Sequence, residues 1–270
     1  MSIITERDGP VAVITINRPK ARNAVDPETA QALYDAFCDA ERDDAVLASV
    51  LTGAEGAFCA GADLKAVAGR DRDFAPVTKK HPQQAPMGPT RLLADRDAPE
   101  PFISLSKPLI AAVEGHAVAG GLELALMADM RVASETAIFG VYCRRWGVPL
   151  IDGGTLRLPR IIGQGRAMDM ILTGRPVNAE EAYQWGLANR LVKAGEARTA
   201  AIALAKEIAR FPQACMRADR ASAYWGWSRD LDEALKQEAR RGAPVVALEG
   251  RAGAARFASG KGRGGDFSSI

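Results

Sequence analysis

The apolar segment 108–128 constrains the fold of this chain more strongly than any other stretch. It reads PLIAAVEGHAVAGGLELALMA and is long enough to cross a lipid bilayer as a helix. Glu114, His116 and Glu123 interrupt it, however, and ionisable side chains at membrane depth are costly. The segment is therefore predicted to lie in a protein core, and no membrane partner is expected. The presence of Glu123 there needs an explanation, because burying an unpaired carboxylate is unfavourable.

Extended apolar runs alternate with helical patterns in the first part of the chain, which predicts an α/β fold. The first helix is expected to begin at Asp26, a suitable N-cap residue, with Pro27 at the first helical position. Residues 66–107 have no clear period and are predicted to form a long surface segment, either beside the substrate or as a simple insertion. The predicted strands are 10–17, 45–53, 108–115 and 130–134, and the predicted C-terminal helices are 179–185, 197–210, 214–224, 229–247 and 249–258.

Charge and cysteine usage argue against several classes of function. With 35 basic and 33 acidic residues, the formal net charge is +2, so no nucleic-acid partner is expected. The four cysteines show no CxxC spacing and no signal peptide precedes them, which predicts reduced thiols in a cytoplasmic protein. Only two histidines are present, which disfavours a His-rich metal site, and no metal is expected.

Two segments share one pattern, in which an extended run is followed by a turn of small residues and the start of a helix. They are GAFCAGADLKAV, residues 56–67, and EGHAVAGGLELAL, residues 114–126. The first turn of a helix has N–H groups without intrahelical partners, and small residues let a ligand oxygen approach them. Two such turns facing one point would form an oxyanion hole for the enolate of a thioester. Either segment alone is better explained as an ordinary glycine-rich turn.

In this order, and with several further motifs, the two segments resemble the crotonase family, also called the enoyl-CoA hydratase/isomerase family. The resemblance extends from about Ile3 to Phe267. It implies a crotonase-like β-β-α spiral core at residues 1–195 and a C-terminal helical trimerisation region at 196–270. It also implies acyl-CoA substrates, with coenzyme A as part of the substrate and no separate cofactor. The further motifs are NRPKARNAV (17–25), KPLIAAVEGHAVAGGLELALMADMRVAS (107–134), FG with GGTLRLPRIIG (139–163) and LTGRPVNAEEAYQWGLANRLV (172–192).

The resemblance also implies roles for individual residues. Ala62 and Gly120 would donate backbone N–H groups to the thioester oxygen, and Glu123 would transfer a proton. Glu123 lies three residues after Gly120, in the first helical turn, where an apolar site raises the pKa of a carboxyl group. Stabilisation of a first-turn glutamate by the helix dipole is the alternative explanation. Contacts with CoA would come from Arg22, Ala24, Ala60, Asp63, Leu64, Phe257 and Lys261, the last two in a basic tail that is otherwise explained as solvated.

The sequence departs from the family pattern at Cys143. Aligned on Phe139–Gly140 and on Gly153–Gly154–Thr155, this cysteine occupies the position where hydratases of the family have a second glutamate. A thiol near its ordinary pKa is mostly neutral at pH 7 and is a poor base for water. Three interpretations stay open: Glu123 acts alone, Asp152 supplies the second carboxyl group, or the chain catalyses a reaction other than hydration.

Asp152 and Cys143 each have a further interpretation. Asp152 is also a suitable N-cap for the helix that GGTLRLPRIIG begins. Cys143 would serve as a covalent nucleophile only if Arg144 and Arg145 lowered its pKa, because the sequence has no nearby histidine to activate it. Trp146 is predicted to be a pocket or core aromatic residue.

The first functional expectation is hydration of a 2-enoyl-CoA to a 3-hydroxyacyl-CoA, as in fatty acid metabolism. An enoyl-CoA isomerase, or another enolate-forming enzyme, is the alternative that the cysteine favours. A non-catalytic acyl-CoA binding protein is the alternative from another class. The resemblance further implies a homotrimer, or a hexamer built as a dimer of trimers.

Overall fold

The computed structural model describes residues 1–68, 87–89 and 105–265. Most of the segment 66–107, for which a surface location is predicted, falls outside these ranges. Within them, two sheets and a series of helices form the mixed α/β architecture that the alternating pattern predicts. The described helices include none that is long and apolar enough to cross a membrane.

Two sheets are built in the described part of the chain from β1 (Ile3–Asp8), β2 (Val11–Ile16), β3 (Ala48–Gly53), β4 (Leu109–Val113), β5 (His116–Val118), β6 (Met130–Ser134), β7 (Ile138–Gly140), β8 (Val177–Asn178) and β9 (Arg190–Val192). The larger sheet has the order β1-β2-β3-β4-β6-β9, and only its first pair is antiparallel. The smaller sheet has the order β5-β7-β8. Each predicted strand is confirmed, whereas the two edge strands and the small sheet are not predicted.

The helices of the described residues are α1 (Pro27–Arg42), α2 (Leu64–Ala68), α3 (Gly120–Met127), α4 (Gly154–Ile162), α5 (Gln164–Thr173), α6 (Ala179–Gln184), α7 (Ala197–Ala209), α8 (Gln213–Trp225), α9 (Leu231–Val245) and α10 (Arg251–Ala258). The Asp26 side chain accepts a hydrogen bond from the Thr29 N–H at 2.8 Å and caps α1, as predicted. The C-terminal helices lie close to their predicted bounds.

The main sheet is covered on both faces, as expected for parallel strands with continuous apolar sequences. On one face, Val50 and Ile110 pack with Ala201 of α7. On the other face, Leu51 belongs to the cluster that also contains Phe37 of α1 and side chains of α3. The start of α3 is therefore held next to the sheet by a close-packed apolar core.

The C-terminal helical region is anchored to the core through α8. The Arg220 guanidinium lies 2.8 Å from a carboxylate oxygen of Asp129, and the Tyr224 hydroxyl donates to that oxygen at 2.7 Å. By contrast, α9 and α10 have no buried residues, and Leu231 and Leu248 are largely exposed. Trimer formation through this region and a division of the chain at residue 195 stay predictions.

Candidate active site

The two segments with a shared sequence pattern meet beside the small sheet. The Cys59 N–H donates to the His116 carbonyl at 2.9 Å, and the Val118 N–H donates to the Cys59 carbonyl at 3.1 Å. The first segment therefore runs parallel to β5. A Cβ atom on Gly61 would lie 2.9 Å from the Gly120 nitrogen, so the two segments are in direct contact at the start of α3.

The N–H groups of Ala62 and Gly120 are both available at this junction. Val25 donates to the Gly61 carbonyl at 2.8 Å and accepts from the Asp63 N–H at 2.9 Å, so the Ala62 N–H between them points away from Val25. Gly120 is the first residue of α3, where an N–H has no partner within the helix. Among the described residues, neither N–H donates a backbone hydrogen bond. Both groups can therefore bind an oxygen atom of a ligand.

A pocket of about 240 Å³ opens at this junction. Each residue for which a catalytic role is predicted lines it, namely Ala62, Gly120, Glu123, Cys143 and Asp152. The remaining wall is mostly apolar, so charges inside the pocket are poorly screened by water. Apolar lining residues include Leu64, Met87, Trp146, Val148, Pro149 and Ile151.

Glu123 is buried in the pocket wall, with 2% of its surface exposed. Its Oε1 atom accepts hydrogen bonds from the N–H groups of Asp152 at 2.9 Å and Gly154 at 2.8 Å. Burial and the Asp152 carboxylate raise the pKa of Glu123 from 4.5 to about 7, against the opposing effect of the two N–H groups. A carboxyl group with a pKa near neutrality can accept and donate protons at physiological pH.

Asp152 is the second carboxyl group in this pocket and is 4% exposed. Its Oδ1 atom accepts a hydrogen bond from the Met87 N–H at 3.0 Å. The prediction that Asp152 is the N-cap of α4 is wrong, because Gly153 occupies that position and no side-chain hydrogen bond closes the helix. The Asp152 N–H points instead at Glu123, and the Asp152 carboxylate is close enough to raise the pKa of Glu123.

Cys143 contributes a neutral thiol to the pocket. Burial and the nearby Glu123 carboxylate raise its pKa, and the opposing effect of Arg144 is smaller. The Arg144 guanidinium donates to a backbone carbonyl at 3.0 Å, and Arg145 lies over the Tyr142 ring at 4.2 Å. The two arginines therefore do not lower the pKa of the thiol below its ordinary value, and the condition for a covalent role of Cys143 is not met.

The residues near the pocket with a predicted role in CoA binding are contributed by the turn before α1 and the start of α2. Arg22 has a left-handed φ of 51°, and its carbonyl accepts a hydrogen bond from the Ala60 N–H at 3.1 Å. The Asp63 carboxylate lies 3.1 Å from the Arg18 guanidinium, which also lies 2.8 Å from the Asp26 carboxylate. Of the residues with a predicted role in CoA binding, Ala24, Ala60 and Leu64 line the pocket.

Phe257 and Lys261 lie in the C-terminal region and are exposed. The Arg263 guanidinium lies 5.7 Å from the centre of the Phe257 ring. Neither Phe257 nor Lys261 lines the pocket of its own chain. Their contact with CoA stays a prediction.

Sequence reasoning missed two residues that shape the site. Arg157 donates through Nη1 to the Asp152 carbonyl at 2.9 Å. The Met87 sulfur lies 2.5 Å from the position a Cβ on Gly120 would take. Met87 belongs to a stretch without a periodic pattern, so no signal could identify it. Arg157 has a weak signal in the sequence: it lies near the start of a helix, where the helix dipole disfavours a positive charge, so another interaction is expected to hold it there. Of the two locations that the sequence predicts for Trp146, a pocket or the core, the structure shows the pocket, because Trp146 lines it and is 68% exposed.

The arrangement is suited to stabilising an oxyanion and moving a proton next to it. The N–H groups of Ala62 and Gly120 lie in one apolar pocket with the carboxyl groups of Glu123 and Asp152, and Asp152 raises the pKa of Glu123. Within residues 1–68, 87–89 and 105–265, no cluster of three or more His, Cys, Asp or Glu side chains could hold a metal ion.

The chain is similar to known proteins over nearly its whole length. Residues 6–259 match the family model described as enoyl-CoA hydratase/isomerase. The enoyl-CoA hydratase EchA19 of Mycobacterium tuberculosis is 40% identical over 209 residues, which cover 76% of this chain and 73% of that protein. The carnitinyl-CoA dehydratase of Salmonella agona is 38% identical over 211 residues, with coverage of 77% and 74%. A crystal structure of an enoyl-CoA hydratase from M. tuberculosis H37Rv matches with a TM-score of 0.84, 36% identity and 96% of both chains covered.

Proposed function

The chain belongs to the enoyl-CoA hydratase/isomerase family, and on that basis we propose that it adds water to a 2-enoyl-CoA to form a 3-hydroxyacyl-CoA. The observation that carries this proposal is the pair of coupled carboxyl groups, Glu123 and Asp152, in one pocket with the N–H groups of Ala62 and Gly120. Relatives named as a hydratase and a dehydratase support the same reaction class. Coenzyme A would enter as part of the substrate.

The thioester oxygen would accept hydrogen bonds from Ala62 and Gly120. Negative charge develops on this oxygen when Cβ of the enoyl group is attacked, so these bonds strengthen towards the transition state. Removing one such donor typically costs ~3–4 kcal/mol of transition-state stabilisation. Backbone hydrogen bonds of Cys59 hold the two segments together, which keeps both donors in place before substrate arrives.

Glu123 would transfer the proton while Asp152 orients the water. Glu123 takes a proton from water as the water oxygen bonds to Cβ, and the same proton is then delivered to Cα of the enolate. The raised pKa of Glu123, about 7, suits both halves of this transfer. Asp152 would take the place of the second glutamate of other family members, because the neutral thiol of Cys143 is a weak hydrogen-bonding group for orienting water.

The neutral thiol also favours a second candidate, an enoyl-CoA isomerase. In that reaction Glu123 alone would remove a proton from Cα and return it to Cγ, and no water would be held. Deuterium incorporation from solvent without formation of a 3-hydroxyacyl product would identify this reaction.

Assembly and location form a separate part of the proposal. A homotrimer or a dimer of trimers would cover the exposed apolar residues Leu231, Leu248 and Phe257 of the C-terminal region. A neighbouring copy would then bring its Phe257 and Lys261 to CoA. The four cysteines form no disulfide within the described residues, which supports a cytoplasmic location.

Hydration is tested with purified protein and 2-enoyl-CoA thioesters of increasing length, starting with crotonyl-CoA. Loss of the absorbance of the conjugated enoyl thioester reports water addition. We expect turnover by the wild type and a loss of about 100-fold or more in Glu123→Gln, since general acid–base catalysis contributes about that much. Glu180→Gln, which removes an exposed carboxylate, is the matched control and is expected to keep the wild-type rate.

The rival functions give different results in the same experiment. If folded wild-type protein hydrates no enoyl-CoA but exchanges the Cα proton, the hydratase proposal is wrong and the isomerase class is favoured. If it binds acyl-CoA and neither hydrates nor exchanges, the chain is a non-catalytic acyl-CoA binding protein.

A further inference from the structure

The loop Asp152–Gly154 is held from behind by Arg157. The Nη1 atom of Arg157 donates to the Asp152 carbonyl at 2.9 Å. The guanidinium also lies against Gly153, where an added Cβ would be 2.4 Å from Nη1. Gly153 has a φ of 94°, in the region that favours glycine. The missing side chain at Gly153 therefore provides the space that the guanidinium occupies.

The same loop supplies both backbone hydrogen bonds to Glu123. The N–H groups of Asp152 and Gly154 reach Oε1 at 2.9 Å and 2.8 Å. The carbonyl that Arg157 binds belongs to the peptide unit between these two donors. Rotation of that unit changes ψ of Asp152 and φ of Gly153, two of the backbone angles that set the relative directions of the two N–H donors. Gly154 is also closely fitted, since an added Cβ would lie 2.9 Å from Oε1 of Glu123.

Arg157 acts on Glu123 without contacting the pocket, since it is not among the lining residues. Among residues 1–68, 87–89 and 105–265, the charged and titratable groups that act on Glu123 are Asp152, Cys143 and Arg157. The Asp152 carboxylate raises the pKa of Glu123, whereas the positive charge of Arg157 opposes this rise. Arg157 therefore affects both the orientation and the ionisation of Glu123.

We propose that Arg157 is a positioning residue that locks the peptide unit between Asp152 and Gly153, so that Oε1 of Glu123 stays bound and Oε2 is presented to the substrate. This inference rests on the proposed proton transfer by Glu123. Loss of Arg157 would leave the substrate contacts in place and would release the carboxylate that moves the proton. The expected signature is a fall in kcat with little change in KM.

The test compares Arg157→Gln and Arg157→Lys with Arg160→Gln. Arg160 lies on the same helix and is exposed; it donates to the Leu156 carbonyl at 2.8 Å, and its guanidinium lies 5.2 Å from the centre of the Trp227 ring. In Arg157→Gln we expect kcat to fall about 100-fold, as for a misplaced catalytic group, with KM close to that of the wild type. The midpoint of the pH–rate profile should move to higher pH. Arg157→Lys keeps the charge, so its midpoint should stay near that of the wild type while kcat is reduced. Arg160→Gln should match the wild type.

A second readout separates this inference from the proposed reaction. Carbon-13 NMR of labelled glutamate carboxyl groups, with Glu123→Gln as the assignment control, reports the titration of Glu123 without substrate. An inactive wild type would refute the proposed hydration, and the NMR titration would still test Arg157. The inference is overturned if Glu123 titrates identically in Arg157→Gln and wild type, or if only KM changes. If Arg157→Gln does not fold, a wild-type kcat in Arg157→Lys overturns it.

Discussion

Replacing Glu123 with glutamine should remove a pH-dependent loss of stability. The glutamine amide can keep the hydrogen bonds from Asp152 and Gly154, because its oxygen accepts in the place of Oε1. In the wild type, the unfolded chain releases the Glu123 proton near pH 4.5, whereas the folded protein keeps it up to about pH 7. The folded state therefore binds more protons in this window, and the free energy of unfolding falls as pH rises.

The magnitude follows from the size of the pKa change. A rise in the pKa of Glu123 from 4.5 to about 7 corresponds to about 3 kcal/mol in the free energy of unfolding. The wild type has this stability below pH 4.5 and has lost it above pH 7. Urea unfolding at fixed protein concentration over this pH range, followed by circular dichroism, should show Glu123→Gln gaining this amount relative to wild type. Glu180→Gln controls for loss of an exposed carboxylate. A difference between wild type and Glu123→Gln that does not change with pH, or that changes in the opposite direction, would show that folding does not raise the pKa of Glu123.

Three further substitutions test separate parts of the structure. Gly121→Ala would place its Cβ 2.0 Å from the Cys59 carbonyl oxygen, so it should cost about 1–3 kcal/mol in urea unfolding and lower kcat by separating the two segments. Cys143→Ala should retain most of the hydration rate in steady-state kinetics, because the thiol is already neutral; a loss as large as that of Glu123→Gln would contradict this. Asp26→Ala removes the bond to the Thr29 N–H and should cost about 1 kcal/mol with kcat unchanged, and equal stability would contradict the capping role.

The main elements of the fold could be predicted because their signals are local. The apolar run Val11–Ile16 and the Asp26 cap are visible in a few consecutive residues. The edge strand Ile3–Asp8 has five exposed residues out of six, so it lacks the apolar run on which strand prediction depends. His116–Val118 is three residues long and is stabilised by pairing with distant Ile138–Gly140, which no local pattern reveals.

The candidate site was predictable in its parts but not in its connections. Glu123 and Gly120 share one helix turn, so their proximity follows from spacing alone. The contact between Glu123 and Asp152 spans 29 residues of chain and depends on the left-handed turn at Gly153. That turn also directs the Asp152 carbonyl to Arg157. The sequence pattern favoured a helix cap for Asp152 because capping is a local interaction, and the long-range contact prevailed.

Exchange of the Cα proton measures whether Glu123 moves a proton next to an oxygen held by Ala62 and Gly120. A saturated acyl-CoA is incubated in deuterated buffer with wild type, Glu123→Gln or Glu180→Gln. Deuterium at Cα is measured by mass spectrometry, and binding is measured by calorimetry. We expect exchange in the wild type and in Glu180→Gln, and none in Glu123→Gln despite unchanged binding. Exchange at the wild-type rate in Glu123→Gln would contradict the account.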